Sequence, residues 1–171
     1  MGIGAVISAI TKYRSIEKKV GKKLKKKFDN IITEKKGDIL ALIDQQSREK
    51  QFVKNKKILV LTAKNGDDVF LRKFFKTMGF PIDNVNYEKV EEYEAINGYD
   101  LIFANNENDD LNFELISSYF ENSSPKTVLF YFGFNRFTSN NPKIKDRLSF
   151  ANAKTQIYGN LINLFKYQDI L

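Results

Sequence analysis

The chain has 171 residues, 42% of them hydrophobic, with 15 Phe, 8 Tyr and a formal net charge of +7. That is apolar mass enough for one domain with an appendage, and it argues against wholesale disorder. There are no Cys and no His, which excludes disulfides, thiol catalysis, a Ser-His-Asp triad, Cys/His zinc sites and histidine pH switching.

Charge is unevenly placed. Residues 1–36 carry 11 Lys/Arg against Glu17, Asp29 and Glu34, a net of +8; residues 37–57 add +2; residues 58–171 hold 12 against 15, a net of −3. The basicity therefore belongs to an N-terminal arm and not to the remainder. The opening "MGIGAVISAI" is about half the ~20 apolar residues a membrane span needs. No positive residue precedes it as in a signal peptide, and Val6 stands where a myristoylation pattern requires Ser or Thr.

At 100° per residue, Ile3, Val6, Ile7, Ile10, Tyr13, Ile16, Val20, Leu24, Phe28, Ile31 and Ile32 fall within roughly half of one helix circumference. Lys12, Lys18, Lys19, Lys22, Lys23, Lys26 and Lys36 occupy the other half. The spacing predicts a long amphipathic helix stopping at Gly37, then a second helix capped by Asp38 through "ILALIDQQSREKQF". Three partners suit such an arm. Its apolar face can pack on protein, including a like subunit. With Ile3, Ile7, Ile10, Ile16, Val20, Leu24 and Phe28 in the acyl boundary and Lys22, Lys23 and Lys26 on headgroups, it suits an anionic membrane surface. Nucleic acid is the least supported, since Arg14 is the one arginine of residues 1–36 and no recognition motif is present.

From Lys57 the texture changes. "KILVLTA" reads as a strand buried on both faces. "DDVFLRKFFKTMGF" has helical spacing, with Val69, Phe70, Phe74 and Met78 apolar. "DNVNYEKV" is a second strand, "EEYEAING" a reduced helix or turn, "YDLIFANN" a third strand and "LNFELISSYFEN" a helix with Leu111, Leu115, Ile116, Tyr119 and Phe120 inward. "KTVLFYFG" is a fourth strand; a loop with at most one helical turn leads to a fifth, "LSFAN", and "KTQIYGNLINLFKYQ" closes the chain as a helix. Five strands alternating with helices predict a five-stranded parallel α/β sheet, flavodoxin-like in order 2-1-3-4-5. The expected organisation is an arm over residues 1–55 and an α/β domain over 56–171.

The phrases "KILVLTAKNGDD", "GYDLIFANN", "KTVLFYFG" and "NLINLFKY" resemble a bacterial response-regulator receiver domain in strand order, spacing and texture over residues 57–167. The resemblance implies an acidic pair after the first strand, where Thr62 and Ala63 stand. It implies a phospho-accepting Asp closing the third, where Ala104 and Asn105 stand. The family's Ser/Thr falls on Phe132 or Gly133, and its fifth-strand Lys near Asn152, with Lys154 two residues late. Asn forms no acyl phosphate, so the resemblance implies a degenerate receiver without phosphotransfer.

In open parallel sheets ligands bind outside the carboxyl ends of the strands. The ligand-binding candidates there are Thr62, Asn65, Asn105, Asn106, Asn152 and Lys154. Asp67 and Asp110 sit where helix caps belong. Asp67, Asp68, Asp109 and Asp110 are the carboxylates that could gather around Mg²⁺, but no metal and no cofactor is assigned. "AKNGDD" lacks phosphate-loop spacing. An enzymatic alternative rests on Glu114 in "LNFELISS": TIR-type domains, which this layout also resembles, carry a catalytic Glu in the helix after the third strand. The Trp and Cys of that motif are missing. Phe134 and Phe137 flank Arg136 in a loop that could dock protein. The expectation is a non-catalytic interaction or regulatory module, cytoplasmic or peripheral to the inner membrane face, tethered by its arm. The alternative is a small-molecule or nucleotide-sensing or -cleaving domain. The Lys/Asn/Ile-rich composition suggests a bacterial source.

Overall fold

Six consecutive residues, Ile58–Ala63, form β1, and all six are buried. So are the six of β3, Leu101–Asn106, and the six of β4, Val128–Gly133. Strands wholly out of water require helices on both faces, and this is how near-continuous apolar runs behave in parallel sheets. The structure, a computed structural model, describes residues 3–91, 97–135, 137 and 141–171. Along the chain come α1 (Ile3–Asn55), β1, α2 (Val69–Thr77), β2 (Val85–Val90), β3, α3 (Phe113–Glu121), β4, α4 (Pro142–Lys145), β5 (Leu148–Ala151) and α5 (Ile157–Gln168). The sheet runs β2-β1-β3-β4-β5 with every pairing parallel. This is the flavodoxin-like order that the strand and helix spacing predicts.

Alternation along the strands divides the core. Ile58, Val60, Leu101, Phe103, Val128 and Phe130 face Leu71, Phe74 and Phe75 of α2 and Leu161 and Phe165 of α5. Leu59, Leu61, Ile102, Ala104, Leu129 and Tyr131 face Ile116, Tyr119 and Phe120 of α3 and Ile144 of α4. Aromatic rings fill the first layer. Phe103 stacks on Phe130 at 5.0 Å, and Phe75 meets Phe80 and Phe103 edge-on at 5.2 and 5.7 Å; such pairs add about 1 kcal/mol each to simple burial.

The chain divides into two compact units, Met1–Ser47 and Arg48–Leu171. The last turns of α1 therefore belong with the sheet. There Phe52 is 6% exposed and packs 6.1 Å from Phe165, while Lys56 lies over both rings and bonds Asp169 at 3.0 Å. Lys166 pairs with Glu49 at 3.1 Å.

The arm differs from its expected form. α1 runs through Gly37 without a stop, and no second helix begins at Asp38. A lone glycine costs a helix about 1 kcal/mol, and here good helix formers flank it with no proline nearby. Lys35 and Asp38 pair at 3.5 Å across the glycine, i to i+3. Tyr13, Ile16, Val20, Leu24, Phe28, Ile31, Ile32, Ile39, Leu42 and Ile43 are all exposed. Ile3, Ile7 and Ile10 lie in α1, and their side chains are outside the described set.

Smaller departures occur in the domain. Val69, one of the apolar residues of the predicted helix, is exposed, while Leu71, Phe74 and Phe75 are buried. Most of the predicted "EEYEAING" segment, residues 92–96, lies outside the described residues, as does Arg136. Phe137 is buried beside Tyr131 and Phe113, whereas Phe134 is 74% exposed.

Phe52→Ala removes a buried ring and should lower stability by about 3–5 kcal/mol. Phe28→Ala, on the exposed arm, should change it by less than about 0.5 kcal/mol. Urea titration followed by near-ultraviolet circular dichroism compares the two.

Candidate functional site at the carboxyl edge

Parallel strands bring all their carboxyl ends to one edge, so the polar residues closing β1 and β3 meet there. Thr62 and Asn105 are register partners and are 2% and 4% exposed. Both continue the alternation of Val60 and Phe103, toward the α2 and α5 layer. Asn105 Nδ2 donates to the Asp67 carbonyl at 2.9 Å, holding the β1–α2 loop. Asn105 Oδ1 and Thr62 Oγ1 are buried with no protein partner. A Cβ on Gly66 would fall 2.5 Å from Thr62 Cγ2, so the loop backbone closes directly over the threonine.

Asn106 points to the other face. Its Oδ1 accepts from Leu111 N at 2.7 Å, and its Nδ2 donates to the Tyr131 hydroxyl at 3.1 Å. Burial raises the Tyr131 pKa, and the Asn106 bond partly offsets this. Gly133 completes the packing, since a Cβ there would lie 2.7 Å from the Asn106 carbonyl and from the Tyr131 hydroxyl. Asn106 is thus a clamp for the β3–α3 loop.

The other candidates are spread along the rim. Asn65 and Asn152 are exposed, and Asn152 N donates to Gln156 Oε1 at 3.3 Å. Lys154 pairs with Glu107 at 2.7 Å and sits 4.6 Å over the Phe70 ring. The structure therefore brings Thr62 and Asn105 together and binds Asn106 and Lys154 into loop contacts. Glu114 is exposed in the first turn of α3, where its N–H donates to Asn112 Oδ1 at 2.7 Å.

The carboxylates are also engaged. Asp67 Oδ1 accepts from Val69 N at 2.8 Å, but the N-cap position of α2 falls on Asp68, whose side chain makes no capping bond, and not on Asp67 as expected. Asp110 does not cap α3; Asn112 does. Its extended backbone places Oδ1 against the helix N–H groups, which the acid two residues earlier cannot reach. Asp68 is buried and holds Arg72 through two bonds of 3.0 and 2.8 Å. Arg72 in turn stacks 4.0 Å from the Tyr87 ring. Burial pushes the Tyr87 pKa up to about 12, against the pull of Arg72. Among the described residues no three metal-binding side chains come together.

A cavity of about 330 Å³ opens at this edge on the α3 side, lined by Ala63, Lys64, Asn65, Leu111, Asn112 and Leu115, with the 2.9 Å Lys64–Glu91 pair at its rim. Lys64 belongs to the polar loop after the first strand that the sequence places on this rim, whereas sequence reasoning passed over Glu91 and Asn112. A second cavity, about 220 Å³, lies between α2 and β2 beside Arg72 and Tyr87.

Two outcomes test this geometry. Thr62→Val keeps the methyl against Gly66 and deletes an unpaired buried hydroxyl. It should raise stability by up to about 1 kcal/mol, and a loss in thermal denaturation would identify a partner held in solution. Stabilisation from the neutral Tyr87 phenol is fully present below the free-tyrosine value of about 10 and is lost as pH rises through about 12. An ultraviolet absorbance titration should show a late-titrating tyrosine fraction to which Tyr87 and Tyr131 contribute, and Tyr87→Phe should reduce it by one tyrosine.

The family model of the Nucleotidyltransferase-Associated Rossmannoid Fold, NARF, matches residues 55–170. No curated protein and no solved structure gives a match. The matched stretch begins at the last residue of α1 and takes in all five strands and α2 to α5; the chain belongs to the NARF family.

Proposed function

We propose that this protein is a non-catalytic interaction module in which α1 docks the NARF domain to a partner. The observation that carries the reading is the exposed apolar stripe of the arm, with Leu24 63% and Phe28 68% exposed. Residues of that kind stay on a surface when something else covers them. Supporting it from the other side, most polar groups of the carboxyl edge already act within the fold. Asp67 accepts from Val69 N, Asp68 holds Arg72, Asn106 clamps a loop and Lys154 pairs with Glu107. The domain is read as a degenerate receiver-like unit: Thr62 and Asn105 stand where phosphotransfer needs carboxylates, so its role is regulatory by contact. The family's association with nucleotidyltransferases fits the second reading below. The setting is the cytoplasm or the inner membrane face of a bacterial cell.

A second reading, a nucleotide or small-molecule sensor, is favoured by one feature: Thr62 Oγ1 and Asn105 Oδ1 are buried without protein partners. Cleavage chemistry through Glu114 has less support, because that side chain lies exposed on α3.

The test combines gradient sedimentation of unfractionated cell extract with thermal shift. The wild-type chain should migrate with larger or particulate material, and Leu24→Glu/Phe28→Glu should run free with an unchanged melting temperature. ATP, GTP and NAD should leave the melting temperature in place. Equal migration of the two chains would sink the docking reading. A nucleotide-dependent rise lost in Asn105→Ala would establish the sensor instead.

A further inference from the structure

We propose that the surface α1 docks to is an anionic lipid surface, with the helix lying in the interface plane; this rests on the arm's docking role argued above. At 100° per residue Tyr13, Ile16, Val20, Leu24, Phe28, Ile31 and Leu42 fall within an arc of roughly 120°, and all are exposed. A stripe that keeps the 3.6-residue period of a straight helix suits a flat partner. A second copy in a coiled coil needs a 3.5-residue seam instead. The heptad frame that begins Tyr13, Ile16, Val20 meets Lys23, Lys27, Asn30 and Glu34 as its next seam positions, so no long seam forms.

Charge points the same way. With a net of +8 over residues 1–36, a second arm would be repelled along its length, whereas an anionic leaflet attracts each lysine close to it. Lys12, Lys18, Lys19, Lys22, Lys23, Lys26 and Lys36 lie outside that arc, while Glu17, Lys27, Glu34, Lys35 and Asp38 interrupt it; the methylene stems of the lysines allow their ammonium groups to reach headgroups while the apolar side chains enter the acyl boundary. Nucleic acid would satisfy the lysines and leave the apolar stripe uncovered. Residues 12–43 extend about 48 Å at the helical rise, yet no described helix is long and apolar enough to cross a membrane. An in-plane helix is the geometry that uses both faces.

The experiment is vesicle flotation of the purified full chain on phosphatidylcholine alone and on phosphatidylcholine with phosphatidylserine, at low and high salt. Wild type should float on the anionic vesicles at low salt and stay in the load with neutral ones. Lys22→Glu/Lys23→Glu/Lys26→Glu should weaken anionic binding about a hundredfold or more. Leu24→Glu/Phe28→Glu should abolish it. Circular dichroism and an unchanged melting temperature establish that both variants keep their helix and domain. Wild type that floats on neither composition, or equally on both, overturns the proposal. If flotation fails while the extract still separates wild type from Leu24→Glu/Phe28→Glu, the lipid is wrong and the docking role stands, with an acidic protein as the occupant. If both experiments fail, both readings fall.

Discussion

The parallel pairing of β1 with β3 is the constraint on which this domain is built. Both strands are buried along their whole length, so neither face of the sheet can be left to water. The alternation of side chains then assigns α2, α5 and the end of α1 to one face and α3 with the α4 turn to the other. Parallel direction adds a second consequence. Every strand ends at the same edge, and whatever polar residues close β1 and β3 are buried beside one another.

Buried side-chain amides tie the chain together at both edges of the sheet, and Gln168 Oε1 at one and Asn105 Oδ1 at the other have no protein partner. At the amino edge, Asp100 Oδ2 accepts from Lys57 N at 2.8 Å, while Gln168 Nε2 donates to the Asp100 and Lys126 carbonyls at 2.8 and 2.7 Å. Helix α5, β3 and the β4 entry are thereby joined. At the carboxyl edge Asn106 is satisfied through both its side-chain atoms, whereas its neighbour Asn105 is satisfied through one. The two asparagines differ by one position and so by one face of the sheet. That single step separates a loop clamp from a half-satisfied group beside Thr62. An unpaired buried acceptor costs about 1–3 kcal/mol, so the Thr62 and Asn105 oxygens are the part of this edge where fold and function are least separable.

The three central strands were legible because burial on both faces writes itself as unbroken apolar runs, and the sheet order followed from the number and spacing of all five. The arm was legible as amphipathic because Ile16, Val20, Leu24 and Phe28 repeat against Lys18, Lys19, Lys22 and Lys26. Its continuity was not. Gly37 has the look of a stop, but whether a glycine ends a helix depends on whether the chain beyond it has somewhere else to go, and that is a tertiary matter. Capping failed in the same local way. Asp110 and Asn112 are both competent cap residues, and only the backbone geometry of the loop, with Asp109 at φ 58, decides which oxygen reaches the helix. Phe134 and Phe137 form a similar pair: two loop aromatics three residues apart, of which Tyr131 and Phe113 cover the second.

The arm presents one periodic pattern in two environments. Phe52 and Ile16 are both apolar residues of α1. Yet Phe52 is buried against Phe165 and Ile16 is exposed. Burial of apolar surface is worth roughly 25 cal/mol per Å², and the exposed part of the stripe forgoes that gain at every turn from Tyr13 to Ile43 while Phe52 realises it. No local preference separates these positions; only what covers them does. An apolar cover without negative charge would leave the lysines unmatched, and a like-charged helix would oppose them. The arm therefore carries two separate features, an apolar period and a positive charge.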